Sequence, residues 1–367
     1  MAFLNGYSYR RSITIDHTKV SGTGDLTNFP IMFSGTYDYL AHTTHSGRVT
    51  DLNGYDIIFT SDSAGSTQLD HEIETYNHET GVLTFWVRIP TLDGDANTII
   101  YLFYGNSAVT TSQENKTGTW NSSYKGVYHF AGLTDSTGIN SLTGYNTPTF
   151  GAGKAGNAMY LVGASNQYAM GGDIAAQRLE GVDMTAEFWS WLDTKYDSDG
   201  YTGIFGKGGF TTGSKGITTN YSATNLFDLV KPGVESQQVT YDLGATWNHI
   251  TCVYTAGTGV THYLNGADPQ VVAGTTAANG STGTNFAVGV MINATTNVPA
   301  GQFYLDGRID EGRWYSGLQT ADWVLTNYNT QSSPSTFYAL GNEFTNYTVN
   351  YLKQYRRTRV PGSITGV

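Results

Sequence analysis

A chain of 367 residues exceeds what one hydrophobic core usually organises, so two domains are expected. Only 13% of the residues are charged, and 45 Gly and 26 Tyr stand against 8 Pro, which excludes a protein of long Glu/Lys/Ala helices and points to short strands with polar turns. A net charge of −11 argues against nucleic acid as the ligand, the lone Cys252 excludes an intrachain disulfide, and no run approaches the ~20 apolar residues of a membrane span.

Strands follow from the N-terminus. Met1-Ala2-Phe3-Leu4 runs directly into Tyr7-Ser8-Tyr9-Arg10-Arg11, which reads as the start of a strand rather than a signal peptide. Ile13 and Ile15 alternate with Ser12 and Thr14, and Tyr55, Ile57 and Phe59 repeat the pattern. Leu83 to Ile89 and Ile100 to Tyr104 follow, separated by the turn-forming Leu92-Asp93-Gly94-Asp95-Ala96-Asn97. Residues 106–123 are polar and read as a linker between domains. Beyond it Met184, Ala186, Phe188, Ser190 and Leu192 share one strand face, with Glu187, Trp189 and Trp191 on the other. Trp247 to Tyr254 is a further strand, and Thr261 to Leu264 leads into Asn265-Gly266, a strong hairpin-turn signal. Phe303 to Tyr315 reads as the last long strand. Thr320 to Asn329 reads as a helix with Thr320 as its N-cap.

Two resemblances organise these elements. Tyr9-Arg10-Arg11-Ser12-Ile13-Thr14-Ile15, Tyr55 to Thr60, Leu69-Asp70-His71-Glu72-Ile73-Glu74, Gly81 to Val87 and Ile100 to Asn106 give residues 1–105 a resemblance to DUF2341, a domain family of unknown function. Residues 124–343 resemble a concanavalin A-like jelly roll of the laminin-G type. That resemblance rests on Tyr124 to Phe130, Gly153 to Tyr160, Thr185 to Trp189, Tyr263-Leu264-Asn265-Gly266 and Gly307 to Tyr315. Gly312 departs from that pattern, which has an apolar residue after the acidic pair Asp310-Glu311. The expected architecture is all-β, two β-sandwich domains of which the second is a concanavalin A-like jelly roll, with residues 344–367 as a basic C-terminal tail.

The fold hosts sugar binders, protein binders, glycosidases and virion parts, so function depends on particular side chains. Catalytic jelly rolls of this type carry carboxylates at a Glu-x-Asp-x-x-Glu spacing, which is absent here; Asp306 and Asp310 would stand about 13 Å apart on one strand, too far for a retaining glycosidase pair. No catalytic residue is expected. Asp70, Glu72 and Glu74 alternate on one strand, as an acid/base or cation site or as a solvated sheet face. His42 and His45 have a metal-like spacing but sit in a Thr/Gly-rich loop with no obvious third ligand.

Sugars stack on aromatic faces, and Trp191, Tyr196 and Tyr201 are the expected ligand-binding residues, each alternatively a strand aromatic packed against a loop. They flank Asp197-Ser198-Asp199-Gly200, where Asp197 and Asp199 offer oxygen ligands for calcium, or else form a solvated hairpin turn. The jelly-roll resemblance makes calcium the candidate cofactor, because many jelly rolls of this type hold it in loops.

Residues 1–127 carry a net −6 and residues 128–343 a net −9, whereas the last 24 residues carry +4. Tyr347 and Tyr351 alternate as in a strand, and Arg356, Arg357 and Arg359 follow, an extended basic segment that reads as an assembly arm adding to a partner's sheet, or else as a disordered terminus or a strand completing its own domain. The expected function is therefore non-catalytic: a surface-displayed structural or binding protein, such as a phage capsid-decoration or tail-fibre subunit with glycan affinity. The alternatives are a carbohydrate-binding or adhesion module of a secreted bacterial protein and, more weakly, a glycoside hydrolase. The expected partners are a glycan or a particle or cell-surface protein, with the chain as a homo-oligomer or assembly subunit, located on a virion or extracellular surface.

Overall fold

The computed structural model describes residues 3–194, 200–210, 215–222, 225–231, 235–276, 279–294 and 296–346. It is an all-β protein of two sandwiches. In the first, the strands Tyr338–Leu340, Tyr9–Ile15, Thr98–Tyr104 and Ile57–Thr60 form one sheet in that order, with Phe344–Thr345 also paired to Tyr9–Ile15. Leu26–Thr36, Val82–Leu92 and His71–Asn77 form the second sheet. Period-2 alternation turns Ile13, Ile15, Phe29, Ile31, Phe33, Phe85, Val87 and Ile100 into one shared core, where each contributes roughly 1.5–3 kcal/mol of apolar burial.

The second sandwich packs an eight-stranded sheet on a nine-stranded one. The eight-stranded sheet runs Ala267–Ala273, Gly259–Leu264, Asn248–Thr255, Met184–Thr194, Asp306–Ser316, Asn157–Leu161 and Thr149–Ala152, with Tyr124–Tyr128 also paired to Asp306–Ser316. Met184, Ala186, Phe188 and Leu192 point into the core, as the alternation requires. Asn265 (φ 54°) and Gly266 (φ 73°) both occupy the left-handed region between two antiparallel strands, the conformation that makes Asn-Gly a hairpin signal. The expected long strand from Phe303 divides at Leu305 into Pro299–Tyr304 and Asp306–Ser316, which lie in different sheets.

Two expected boundaries move. Residues 106–123 do not form a free linker: they hold the short helix Lys116–Thr119, capped by the Asn115 side chain, and Trp120, which is buried with Met32, Trp86, Tyr124, Val127 and Ala155. That apolar cluster joins residues of both sandwiches. The jelly roll also does not extend to residue 343, because Tyr338–Leu340 and Phe344–Thr345 pair with Tyr9–Ile15 of the first sandwich. The helix expected from Thr320 runs Ala321–Ser332, with the Thr320 hydroxyl accepting the Trp323 N–H. It is wedged between the sandwiches. Trp323 packs on Phe29 at 4.6 Å, while Gln331 accepts the Trp189 indole N–H at 2.7 Å. The chain thus leaves the second sandwich, crosses the junction and completes the first. Among the described residues no helix is long and apolar enough to cross a membrane.

Candidate functional site

Two regions of the eight-stranded sheet's outer face carry chemistry: one end is covered by the first sandwich, and the other is left open.

The open end bears an aromatic row. Trp191 stands opposite Arg308 in the ladder, Arg308 opposite Tyr160, and Tyr160 opposite Thr149, so one transverse line crosses four strands. The Arg308 guanidinium lies 4.7 Å from the Tyr160 ring centre and 4.8 Å from that of Trp191. Trp247 continues the row at 6.0 Å from Trp191, edge to face. Asp193 accepts the Trp191 indole N–H at 2.8 Å and lies 3.9 Å from Arg308. All three aromatics are half-buried, so their rings are held yet reachable. At about 4.8 Å per strand the row is roughly 15 Å long.

The other expected ligand residues fall elsewhere. Tyr201 is exposed at the start of Tyr201–Phe210, in the nine-stranded sheet, where its ring meets Phe303 at 6.2 Å. Trp191 and Tyr201 therefore sit in different sheets. Tyr196, Asp197 and Asp199 lie outside the described residues, as do Tyr347, Tyr351, Arg356, Arg357 and Arg359. Trp189, which shares the outward face with Trp191, is buried beneath the Ala321–Ser332 helix and stacks on Tyr328 at 5.6 Å. His42 uses Nδ1 on the Thr44 N–H and hydroxyl and Nε2 on the Thr50 carbonyl, so it works as a loop cap.

At the covered end the carboxylates expected on a solvated or catalytic face are buried between the sandwiches. Glu72 accepts from Ser136 Oγ at 2.6 Å, His129 Nε2 at 3.1 Å, the Trp120 indole and Lys116 Nζ at 3.1 Å. Glu74 accepts the Trp86 indole N–H at 2.9 Å, while Asp70 pairs with Arg88 at the rim. The second sandwich contributes Asp310, Glu311, Arg313, Glu187 and His129. Strict alternation would aim Asp310 and Glu311 at opposite faces. A bulge prevents this: Glu187 pairs with Arg313 and Trp189 with Asp310, so Glu311 and Gly312 together face the single Phe188. Glu311 sits at φ 49° and its carboxylate joins Asp310 on the outer side. Gly312 turns to the core, where an added Cβ would stand 2.7 Å from Phe205 and 3.0 Å from Phe130, so the apolar residue usual there has no room.

Arg313 is the main counter-charge. Its Nη1 donates to Glu187 at 2.6 Å and to Asn327 at 3.0 Å, and Nη2 donates to Glu311 at 2.9 Å. Its guanidinium lies between the rings of Trp86 (4.4 Å) and Trp120 (4.8 Å). Burial opposes charge on His129, but Glu311 at 2.8 Å and Glu72 outweigh it and hold the imidazole well above its ordinary value. Burial would raise Glu72 as well, yet His129 and Lys116 hold it well below the usual carboxylate range. Glu74 and Asp310 go the other way, raised by burial and by the neighbouring Glu311.

Glu74 and Glu311 are close enough for a retaining pair by distance, since their nearest oxygens and the nearer His129 nitrogen all lie within 4.8 Å of one another. A cavity of about 250 Å³ reaches Glu72, Glu74, Lys116, His129 and Ser136, but Glu311 does not line it. A sugar in this cavity could not stand between the two acids.

The sequence offered partial signals for these residues. The Asp310-Glu311-Gly312 departure marked the bulge, and Trp120 was a lone large aromatic inside a polar stretch. Tyr160, Arg308 and Trp247 come from three distant segments, and only strand register lines them up with Trp191.

Two family models match successive segments of the chain. The family model for DUF2341, a domain of unknown function, matches residues 53–142, beyond the expected boundary and through the Tyr124–Tyr128 strand. The Laminin_G_3 model, described as the concanavalin A-like lectin/glucanases superfamily, matches residues 163–325. No curated protein matches the chain. Among solved structures, domain 4 of AbnA, a GH43 extracellular arabinanase from Geobacillus stearothermophilus, in complex with arabinotriose, is 16% identical, covering 55% of this chain and 96% of that one with a TM-score of 0.38. The botulinum neurotoxin serotype G binding domain is 16% identical, covering 57% and 51% with a TM-score of 0.44. Trypanosoma rangeli sialidase in complex with sialic acid is 11% identical, covering 73% and 46% with a TM-score of 0.43. The chain spans only about half the length of the last two. On its own residues and on both family models, this chain carries a DUF2341 region followed by a laminin-G-type, concanavalin A-like domain.

Proposed function

We propose that the protein is a non-catalytic binding module that takes a glycan on the row Tyr160, Arg308, Trp191 and Trp247, and is displayed at a cell or particle surface. The observation that supports this most is the row itself. Three rings and a guanidinium in register present flat apolar faces about 15 Å long. The Asp193 and Arg308 side chains flank them as hydrogen-bonding groups for hydroxyls. Such a site needs no proton transfer. The two carboxylates that come close enough for glycosidase chemistry are locked in the junction, and one of them lies away from the cavity.

The test is a glycan panel screened with the full chain, followed by titration of the best ligand against Trp191→Ala. Trp191 supplies a central ring, so its loss is expected to weaken binding about tenfold or more, ~1.4 kcal/mol. Failure to bind any member of a broad panel, or an unchanged Kd in Trp191→Ala, would refute the reading. Turnover of a bound glycan would refute its non-catalytic part.

A further inference from the structure

The buried junction is unbalanced in charge. Among the described residues five carboxylates (Glu72, Glu74, Glu187, Asp310 and Glu311) face four cationic groups, Lys116, His129, Arg313 and, beside Asp310, Lys154. Glu72, Glu187 and Glu311 each hold a cationic partner at 3.1 Å or less. The two that remain, Glu74 and Asp310, have one oxygen each, Oε1 and Oδ1, that is buried without a hydrogen-bond partner. Both side chains are almost wholly buried, where a carboxylate is destabilised, and Glu74 meets His129 Nδ1 at the longer distance of 3.7 Å.

We propose that a divalent transition-metal ion of the zinc or manganese type binds between Glu74, His129 and Glu311 and ties the two sandwiches together. The donor set is one imidazole and two carboxylates, which suits such an ion. His129 Nδ1 lies 2.8 Å from Glu311 Oε1 and 3.7 Å from Glu74 Oε2. Ligand atoms around a tetrahedral ion bound at ~2.1 Å stand roughly 3.4 Å apart, so these separations bracket what the ion needs.

The surroundings are those a ligating histidine requires. With Nδ1 on the metal, Nε2–H donates to Glu72 Oε2 at 3.1 Å, a carboxylate that fixes both tautomer and ring orientation. The Trp86 indole holds Glu74 Oε2, and Arg313 holds Glu311 Oε2. Entry is by the 250 Å³ cavity, which reaches both Glu74 and His129. Gly156 leaves space beside Glu74 Oε1, since a Cβ there would lie 1.9 Å from that oxygen. Binding exchanges the Nδ1 proton for the ion, so affinity rises with pH. The site joins residues of both sandwiches: Glu74 comes from His71–Asn77, His129 follows Tyr124–Tyr128, and Glu311 is the bulge residue of Asp306–Ser316.

The experiment uses the full chain, stripped with EDTA, dialysed and titrated with zinc chloride at pH 7.5. Metal content and melting are followed together. The expected result is one tightly bound zinc per chain, a higher melting temperature, at least tenfold weaker binding in Glu74→Gln, and binding about 10–100-fold weaker in Glu72→Gln. If Glu74→Gln does not fold, the X-ray absorption spectrum of the zinc-loaded wild type decides: it should show one imidazole nitrogen among oxygen ligands. Two or more imidazoles would place zinc on the loop histidines His42, His45 and His78, where the His78 ring lies 6.5 Å from that of His42 and 5.7 Å from that of His45, and would overturn the proposal. A wild type that takes up no stoichiometric zinc or manganese would also overturn it, leaving protons to balance Glu74 and Asp310.

Discussion

Replacing Arg313 by methionine tests whether the buried junction holds the two sandwiches as one unit. Methionine keeps most of the side chain's length and volume, so the change mainly removes charge and hydrogen bonds. Arg313 is 1% exposed and donates three hydrogen bonds, to Glu187, Glu311 and Asn327. Without it, among the described residues, Glu187 loses its cationic partner and Glu311 keeps His129. Stripping one partner from a buried ion pair costs about 3–5 kcal/mol. The lost contacts with Trp86 and Trp120 add about 0.5–2 kcal/mol. Against a total stability of roughly 5–15 kcal/mol, that is about a quarter or more. The assay is urea unfolding followed by tryptophan fluorescence, to which Trp86 and Trp120 at the junction contribute among the seven tryptophans. Arg313→Met is expected to lower the midpoint strongly, and adding Glu187→Gln is expected to recover part of the loss, because one uncompensated charge is then gone. A cost below about 1 kcal/mol for Arg313→Met would refute the reasoning. So would a second substitution that deepens the loss by its full separate amount.

Burial, reinforced by the Arg313 charge, pushes His249 down to about 3, so the unfolded chain takes up that proton first as the pH falls. The stability present above about pH 6.5 is therefore lost progressively towards pH 3, with a limiting slope of about 1.4 kcal/mol per pH unit from this residue. His249→Gln should flatten the acid limb of the melting temperature measured from pH 7 to pH 4; an unchanged limb would refute the assignment. Chain ends give another test. A chain ending at Asn346 should melt like the full one. A chain ending at Ser333 loses Phe337 and Tyr338 from the first core and the strands beside Tyr9–Ile15, with a cost of about 3–5 kcal/mol for each buried aromatic, and should lose that sandwich's transition. Equal melting of the two chains would refute the completion of the first sandwich by C-terminal residues.

Local chemistry by itself determined much of this protein. Period-2 runs named the strands around Ile13, Phe85, Phe188 and Ile250, Asn265-Gly266 set a hairpin, and Thr320 capped the helix that follows it, because each depends on residues within a few positions of one another. The two family resemblances gave the order of the sandwiches. Trp191 was also legible as an outward aromatic, since its strand alternates cleanly. Tertiary structure alone decided the rest. Asp70, Glu72 and Glu74 read as a solvated or catalytic face, and the covering of Glu72 and Glu74 by another sandwich is a contact across more than 50 residues that no local pattern encodes. The bulge at Glu311 broke the alternation of its strand, so that Asp310 and Glu311 share a face. Residues 321–343 read as the end of the jelly roll and 344–345 as the start of the tail because they follow it in sequence, but strand pairing is satisfied wherever an open edge lies, and the open edge was Tyr9–Ile15. The aromatic row has the same origin: sequence supplies Tyr160, Trp191, Trp247 and Arg308, and the register of antiparallel strands makes them neighbours.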